Sequence, residues 1–167
     1  MKFSLLILSS SILVSCSVPE KASDVSATPL TGIHRLSTEH RRLANDAGQE
    51  GSTVKLRDLP PRVVTLCADH QGHMADIGES WRAGCIVLSP PLPSKRLIWA
   101  SQFQDVFLIH YESGGYAHSF HLMLVRYSEG SKAEELWHAI SPSPLVRHEI
   151  GEAINSNALD DYAGFAR

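Results

Sequence analysis

The hydrophobic pattern is densest between Val106 and Tyr127, where two apolar runs rich in Val, Ile, Phe, Tyr and Leu flank Ser113-Gly114-Gly115. Glycine takes φ > 0 without Cβ strain, and β-branched and aromatic residues suit a pleated sheet, so this stretch predicts a central antiparallel hairpin. With Gly114-Gly115 as a two-residue loop, Ser113 opposes Tyr116, Tyr111 opposes His118 and Ile109 opposes Phe120. One face then collects Phe107, Ile109, Tyr111, His118, Phe120, Leu122 and Leu124 and reads as core. The other collects Leu108, His110, Glu112, Ala117, Ser119, His121, Met123 and Val125, apolar away from the turn and polar beside it. A four-residue loop keeps this sorting, whereas a three-residue loop reverses it along one strand.

Weaker patterns flank the hairpin. Residues 37–48 predict a short helix capped by Ser37 or Thr38 and stopped by Gly48. Pro60-Pro61 marks a boundary before an apolar strand candidate at residues 62–68. A polar loop, residues 69–84, separates it from a second apolar run at 85–88. Pro90, Pro91 and Pro93 enforce another loop before a strand candidate at 96–101, and a further strand is expected over 134–139. Ser143 can cap a helix with Pro144 at its first position; Val146, Ile150, Ala153 and Ile154 share one face of it, although Gly151 weakens its middle. Leu159, Tyr162 and Phe165 continue at helical spacing. The expected fold is therefore α+β, mainly β: an antiparallel sheet of about six strands, as a meander or partly closed barrel, with a C-terminal helix packed on it. Connections this short exclude crossovers between sequential strands.

The start of the chain changes the picture of where it resides. Lys2 precedes an apolar run, residues 3–14, too short to span a bilayer permanently, which reads as a secretory signal. Its end, Leu13-Val14-Ser15-Cys16, resembles the lipobox of bacterial lipoproteins. The resemblance covers the first sixteen residues and implies cleavage before Cys16 and acylation of that residue, palmitate included. Each buried methylene of such a chain contributes about 0.8 kcal/mol to membrane attachment. Ser17, rather than Asp, after the cysteine implies sorting to the outer membrane, facing the periplasm. The organisation expected is a signal peptide over residues 1–15, a lipidated Cys16 and mostly flexible tether over 16–53, and one globular β-rich domain over 54–167. About 150 residues remain after cleavage, one domain's worth.

The formal net charge is −3 at pH 7 and becomes one unit more negative when Lys2 leaves with the signal. A mildly acidic chain lacks the phosphate-neutralising surface of a nucleic-acid binder. With Cys16 lipidated, Cys67 and Cys85 remain, and in an oxidising compartment they are expected to form a disulfide, worth about 3 kcal/mol for a loop of this size. The alternative is a metal site from Cys67, His70, His73 and Cys85, a C-x2-H-x2-H spacing with four ligands. The chain has no G-x-S-x-G elbow, H-E-x-x-H helix, P-loop or dinucleotide glycine signature. Glu134-Glu135 and Asp160-Asp161 are adjacent pairs, not carboxylates facing across a cleft.

Two functional readings follow. The first is a non-catalytic binding module without a cofactor. Ser113-Gly114-Gly115-Tyr116 is similar to the S-G-x-Y loop motif of periplasmic and lipid-anchored lysozyme inhibitors, small β-rich proteins that insert a loop into the enzyme's cleft. That resemblance spans four residues. It implies contacts through Ser113 and Tyr116 on the Gly114-Gly115 turn, with a periplasmic cell-wall hydrolase as partner; an immunity protein against such a hydrolase fits the same logic. The second is a metal-binding protein or metal-dependent hydrolase, with His110, Glu112 and His121 holding zinc or iron and Ser119 nearby. A Ser beside a His also reads as an activated nucleophile. The bland alternative is the solvated polar end of a half-buried sheet. The binding module needs fewer coincidences, and the hairpin register decides the second reading: two- or four-residue loops gather its residues, and a three-residue loop scatters them.

Overall fold

A computed structural model of the chain describes residues 36–86, 89–156 and 158–161. The lipobox with Cys16, most of the expected tether, the end of the 85–88 run, Tyr162 and Phe165 lie outside the described residues. The architecture is the expected α+β fold, mainly β. Its sheet is an antiparallel meander with strands in sequence order: β1 (Ser52–Val54), β2 (Lys95–Phe103), β3 (Val106–Ser113), β4 (Ser119–Arg126), β5 (Glu134–Ser141) and β6 (Asp160–Asp161). Among the described residues no pairing joins β1 to β6, so the sheet is open.

Strand β3 does not alternate between buried and exposed positions, because every residue from Val106 through Glu112 is buried. A strand reads that way when both faces of its sheet are covered. On one face lie α1 (Thr38–Gln49) and α3 (Ile150–Asn155), whose Leu43, Ala44, Ala47, Ile150, Ala153 and Ile154 pack with Leu108, Leu122 and Leu124. On the other lies α2 (Pro61–Cys67), where Val63 and Cys67 join Leu59 over Ile109, Tyr111, Met123 and Val125. Each fully buried aliphatic side chain contributes about 2 kcal/mol, so both layers matter to stability.

The first helix forms as the sequence predicts at its start: Ser37 Oγ accepts the His40 N–H at 3.1 Å. Its place in the molecule differs from expectation. The folded unit reaches back to Leu36, which is buried, so the tether boundary at residue 53 is too late. Nor does Gly48 stop the helix. A Cβ there would lie 3.3 Å from Ile150 Cβ, so glycine serves the close approach of α1 to α3, and the helix runs on to Gln49. Arg41 donates to Ile154 O at 3.1 Å, fastening α1 to α3, and Gln49 Nε2 donates to His148 O at 2.9 Å in the turn just before α3.

The run expected as a strand at 62–68 is instead helical as far as Cys67, with Ala68 as the cap. Pro61 occupies the first helical position, where its missing N–H is no loss, and Val63 and Cys67 fall four apart on the buried face. A short apolar run with β-branched residues does not distinguish strand from helix by periodicity. The expected strand at 85–88 is absent from its described part, where Cys85 and Ile86 are exposed. The expected bridge is not formed: Cys67 and Cys85 are free thiols, the first buried and 3.5 Å from Met123 Sδ, the second exposed. Burial pushes the Cys67 thiol up to about 12, which keeps it protonated and inert. At the C-terminal end, Arg147–Glu149 forms a 3-10 turn before α3, so Ile150, Ala153 and Ile154 are buried as expected while Val146 is exposed. Leu159 docks into the core beyond the helix.

The long segment between α2 and β2 has an ordering centre in Asp69. Its Oδ1 accepts the N–H groups of Gln71 and His73, and its Oδ2 accepts that of Ser94. Burial alone would raise this carboxyl, but the three N–H donors stabilise the charged form and hold it below the usual range. Further along, Ala75 bridges Arg96 in parallel and covers the part of β2's outer edge that three-residue β1 leaves open.

Candidate functional site

The register of the central hairpin decides which side chains meet. Ser113 pairs with Ser119, Tyr111 with His121 and His110 with Leu122. The link between β3 and β4 is thus five residues, Gly114 to His118, not two. An odd-length link reverses the sorting along one strand, so His110 and Glu112 share a face with Phe120 and Leu122, while His121 lies on the opposite face with Tyr111 and Met123. The triad His110, Glu112 and His121 is not assembled, and the expectation of a zinc or iron site on those three residues is corrected by this register. Among the described residues no group of three or more His, Cys, Asp or Glu side chains is arranged to hold a metal. That also covers Cys67, His70, His73 and Cys85.

The physical reason for the longer link is that the tip backbone bonds outward. Gly114 N–H donates to Ser94 O at 2.8 Å, and Gly115 N–H to Ala83 O at 3.1 Å. A Cβ on Gly114 would overlap Arg82 O and lie 2.7 Å from Ala83 O, so only glycine admits this contact. Gly115 has φ = 126°, which also favours glycine. The tip is therefore fastened to the loop before β2, and beyond the fastening Tyr116 stands fully exposed. Ser113 closes β3, and Gly114 and Gly115 are partly buried. Of the tip residues, Tyr116 is the large apolar side chain that stands fully exposed.

Glu112 anchors the base of the tip on the α1/α3 face of the sheet. Its Oε1 accepts from Arg96 Nε at 2.6 Å and lies 2.5 Å from an Arg96 terminal nitrogen; its Oε2 is 2.8 Å from His118 Nε2. Trp81 closes this cluster, 4.9 Å from the Arg96 guanidinium and 5.5 Å from the His118 ring. His118, expected in the core opposite Tyr111, is instead a part-exposed loop residue. Beside it, Ile77, Arg96, Ile98, Glu112, Phe120 and Pro144 line an open groove of about 410 Å³.

His110 is structural. Its Nδ1–H donates to His121 O at 2.8 Å, and its Nε2 accepts the Leu145 N–H at 3.0 Å. An imidazole with one donated and one accepted bond is neutral, and burial lowers its pKa further, against the opposing effects of the His121 carbonyl and Glu112. Trp99, whose ring centroid is 5.4 Å from that of His110, bonds Leu145 O through Nε1 at 2.8 Å and pins the same segment.

On the opposite face Ser119 Oγ lies 2.8 Å from His121 Nε2, His121 Nδ1 lies 3.0 Å from His138 Nε2, and Tyr111 Oη lies 3.2 Å from the same nitrogen. Burial pushes His121 down to about 4, with the charges of Lys95 and His110 adding to it, and His138 down to about 3, with His121 and then Lys95 adding to it. Reading the sequence placed Ser119 beside His121 but missed His138, Tyr111 and Lys95. His138 falls inside the expected strand 134–139, yet only the register of β4 against β5, Met123 opposite His138, brings it there. Arg96 and Trp81 were missed too, because no local pattern links residue 81 to residue 118. No family model matches this chain, and no curated protein or solved structure matches it with significance.

Proposed function

We propose that this chain is a lipid-anchored binding module of the bacterial envelope whose hairpin tip meets a protein partner. Cys16 carries the acyl chains, the outer membrane holds it on the periplasmic side, and the partner class implied by the Ser113-Gly114-Gly115-Tyr116 resemblance is a cell-wall hydrolase. One observation carries this reading: a fully exposed Tyr116 rises from a turn whose backbone is fastened at Gly114 and Gly115. A tyrosine anchor on a preorganised loop loses little conformational freedom on binding. The groove beside Glu112 and Phe120 offers adjoining contact area.

The chain without residues 1–16 is expected to inhibit a muramidase of its own envelope at stoichiometric concentration, and Tyr116→Ala to weaken that inhibition at least about tenfold without changing the unfolding midpoint. Absence of protection by the unaltered protein would remove the hydrolase as partner. For the anchor, Cys16→Ala is expected to move the protein from the membrane to the soluble fraction; continued membrane attachment would contradict acylation at this residue.

A further inference from the structure

The face of the sheet opposite α1 and α3 carries a polar chain that binding at the hairpin tip does not use. Ser119, His121 and Met123 alternate along β4, and Met123 pairs with His138 of β5, so serine and both histidines share one face. The contacts run in line: Ser119 Oγ to His121 Nε2 at 2.8 Å, then His121 Nδ1 to His138 Nε2 at 3.0 Å. Tyr111 stacks on His121 with ring centroids 4.9 Å apart and planes 7° apart, which fixes the imidazole's orientation. His121 and His138 are buried and Ser119 is only partly so, which makes the serine the outer end of this row of contacts.

We propose that Ser119 is a nucleophile toward carboxylic esters, with His121 as its general base and His138 as the residue that positions His121. In the productive tautomer, His121 carries its proton on Nδ1 and donates it to His138 Nε2, leaving the Nε2 lone pair for the Ser119 hydroxyl. His138 then carries its own proton on Nδ1, the side on which Glu135 Oε1 lies 3.9 Å away. Ser119 Oγ attacks the ester carbonyl carbon as its proton passes to His121 Nε2. The tetrahedral adduct collapses with cleavage of the bond to the alcohol oxygen, which leaves with that proton. Water then attacks the acyl-serine with His121 again as base, releasing the carboxylic acid and restoring the hydroxyl. Lys95 stands in the same row of the sheet, Lys95 to Ser113 to Ser119, and its charge is felt at His121. That places positive potential on the side where the oxyanion develops. Because burial keeps His121 neutral through the physiological range, the base form is present at pH 7.

The test uses the whole chain from residue 17 and an alkyl fluorophosphonate. Here the Oγ–P bond forms as P–F breaks, fluoride leaves and the serine proton goes to His121. The expected result is a single adduct on the peptide containing Ser119 in the folded protein and none in urea. His121→Gln should slow labelling about 100-fold, within the usual range for loss of a general base. His138→Phe should slow it about tenfold, and His138→Gln should recover most of the rate, since its side-chain carbonyl can accept the Nδ1–H; a merely structural role would not separate these two variants. Hydrolysis of p-nitrophenyl acetate should vanish in Ser119→Ala. An unlabelled Ser119, undiminished labelling in folded His121→Gln, or labelling without ester turnover would each overturn the proposal. If His121→Gln does not fold, the wild-type protein serves in its place, and equal labelling of its folded and urea-unfolded forms would overturn the proposal as surely.

Discussion

Lowering the pH from 7 to 4 is expected to remove much of this domain's stability, through His121 and His138. Both are buried, and both have folded-state pKa values far below the ordinary 6.5, about 4 and about 3. The sign follows from proton counting. Below pH 6.5 the unfolded chain binds a proton at each site and the folded chain does not, so stability rises with pH there. The contribution is fully present above 6.5, declines as the pH falls, and levels off only below the folded values. At 1.36 kcal/mol per pH unit, each histidine forfeits about 3 kcal/mol by pH 4. A small domain has about 5–15 kcal/mol in all. The groups facing this pair shape the magnitude. Lys95 and the histidines repel added protons, Glu135 lies 3.9 Å from His138 and attracts them, and Tyr111 and Ser119 supply neutral hydrogen-bonding groups. Urea titrations at pH 7, 5.5 and 4 measure the effect, and His138→Gln should flatten the slope between 7 and 4. A midpoint unchanged from pH 7 to 4.5 would mean that the two imidazoles are not held neutral.

Gly114→Ala is expected to release the loop before β2 from the hairpin tip and to cost about 3 kcal/mol, in the range of a buried backbone clash with loss of two hydrogen bonds. The methyl group would overlap the carbonyl oxygen of Arg82, a backbone atom that cannot swing aside as a side chain would. The bonds from Gly114 to Ser94 and from Gly115 to Ala83 would break together. Gly84→Ala is the control, since a Cβ there meets nothing within 4 Å. Limited proteolysis should cut between residues 82 and 94 faster in Gly114→Ala alone, and any binding through Tyr116 should weaken with it. Equal proteolysis in the two variants would show that the tip is not held by this contact.

What the sequence made legible follows physical lines. Strands β2 to β5 were readable because long apolar runs bounded by turn residues leave little choice, and α1 because Ser37 offers a cap that the structure uses. The segment at α2 was not, since Val63, Val64, Leu66 and Cys67 suit either element and only Pro61 argued for a helix. The register was misjudged for a different reason. A Gly-Gly pair favours a two-residue turn locally, but here Gly114 and Gly115 direct their N–H groups to Ser94 and Ala83, and that long-range contact lengthens the link. The odd-length link put His121 on the other side of the sheet from His110 and Glu112, dissolving the anticipated His/Glu cluster, and the separate register of β4 against β5 joined Ser119 and His121 to His138. A serine–histidine pair two apart on a strand is legible; the third member from a neighbouring strand is not.

The contact between α1 and α3 has a consequence for the order in which the molecule is made. The meander from β2 to β5 joins neighbours in sequence and can pair as the chain emerges. The helix that begins at Thr38 has only half its cover until Ile150, Ala153 and Ile154 arrive, more than a hundred residues later. Until then the apolar layer formed by α1 with Leu108, Leu122 and Leu124 is only partly covered, so an unfinished or C-terminally shortened chain exposes an apolar surface to chaperones and proteases before it has any native function to lose.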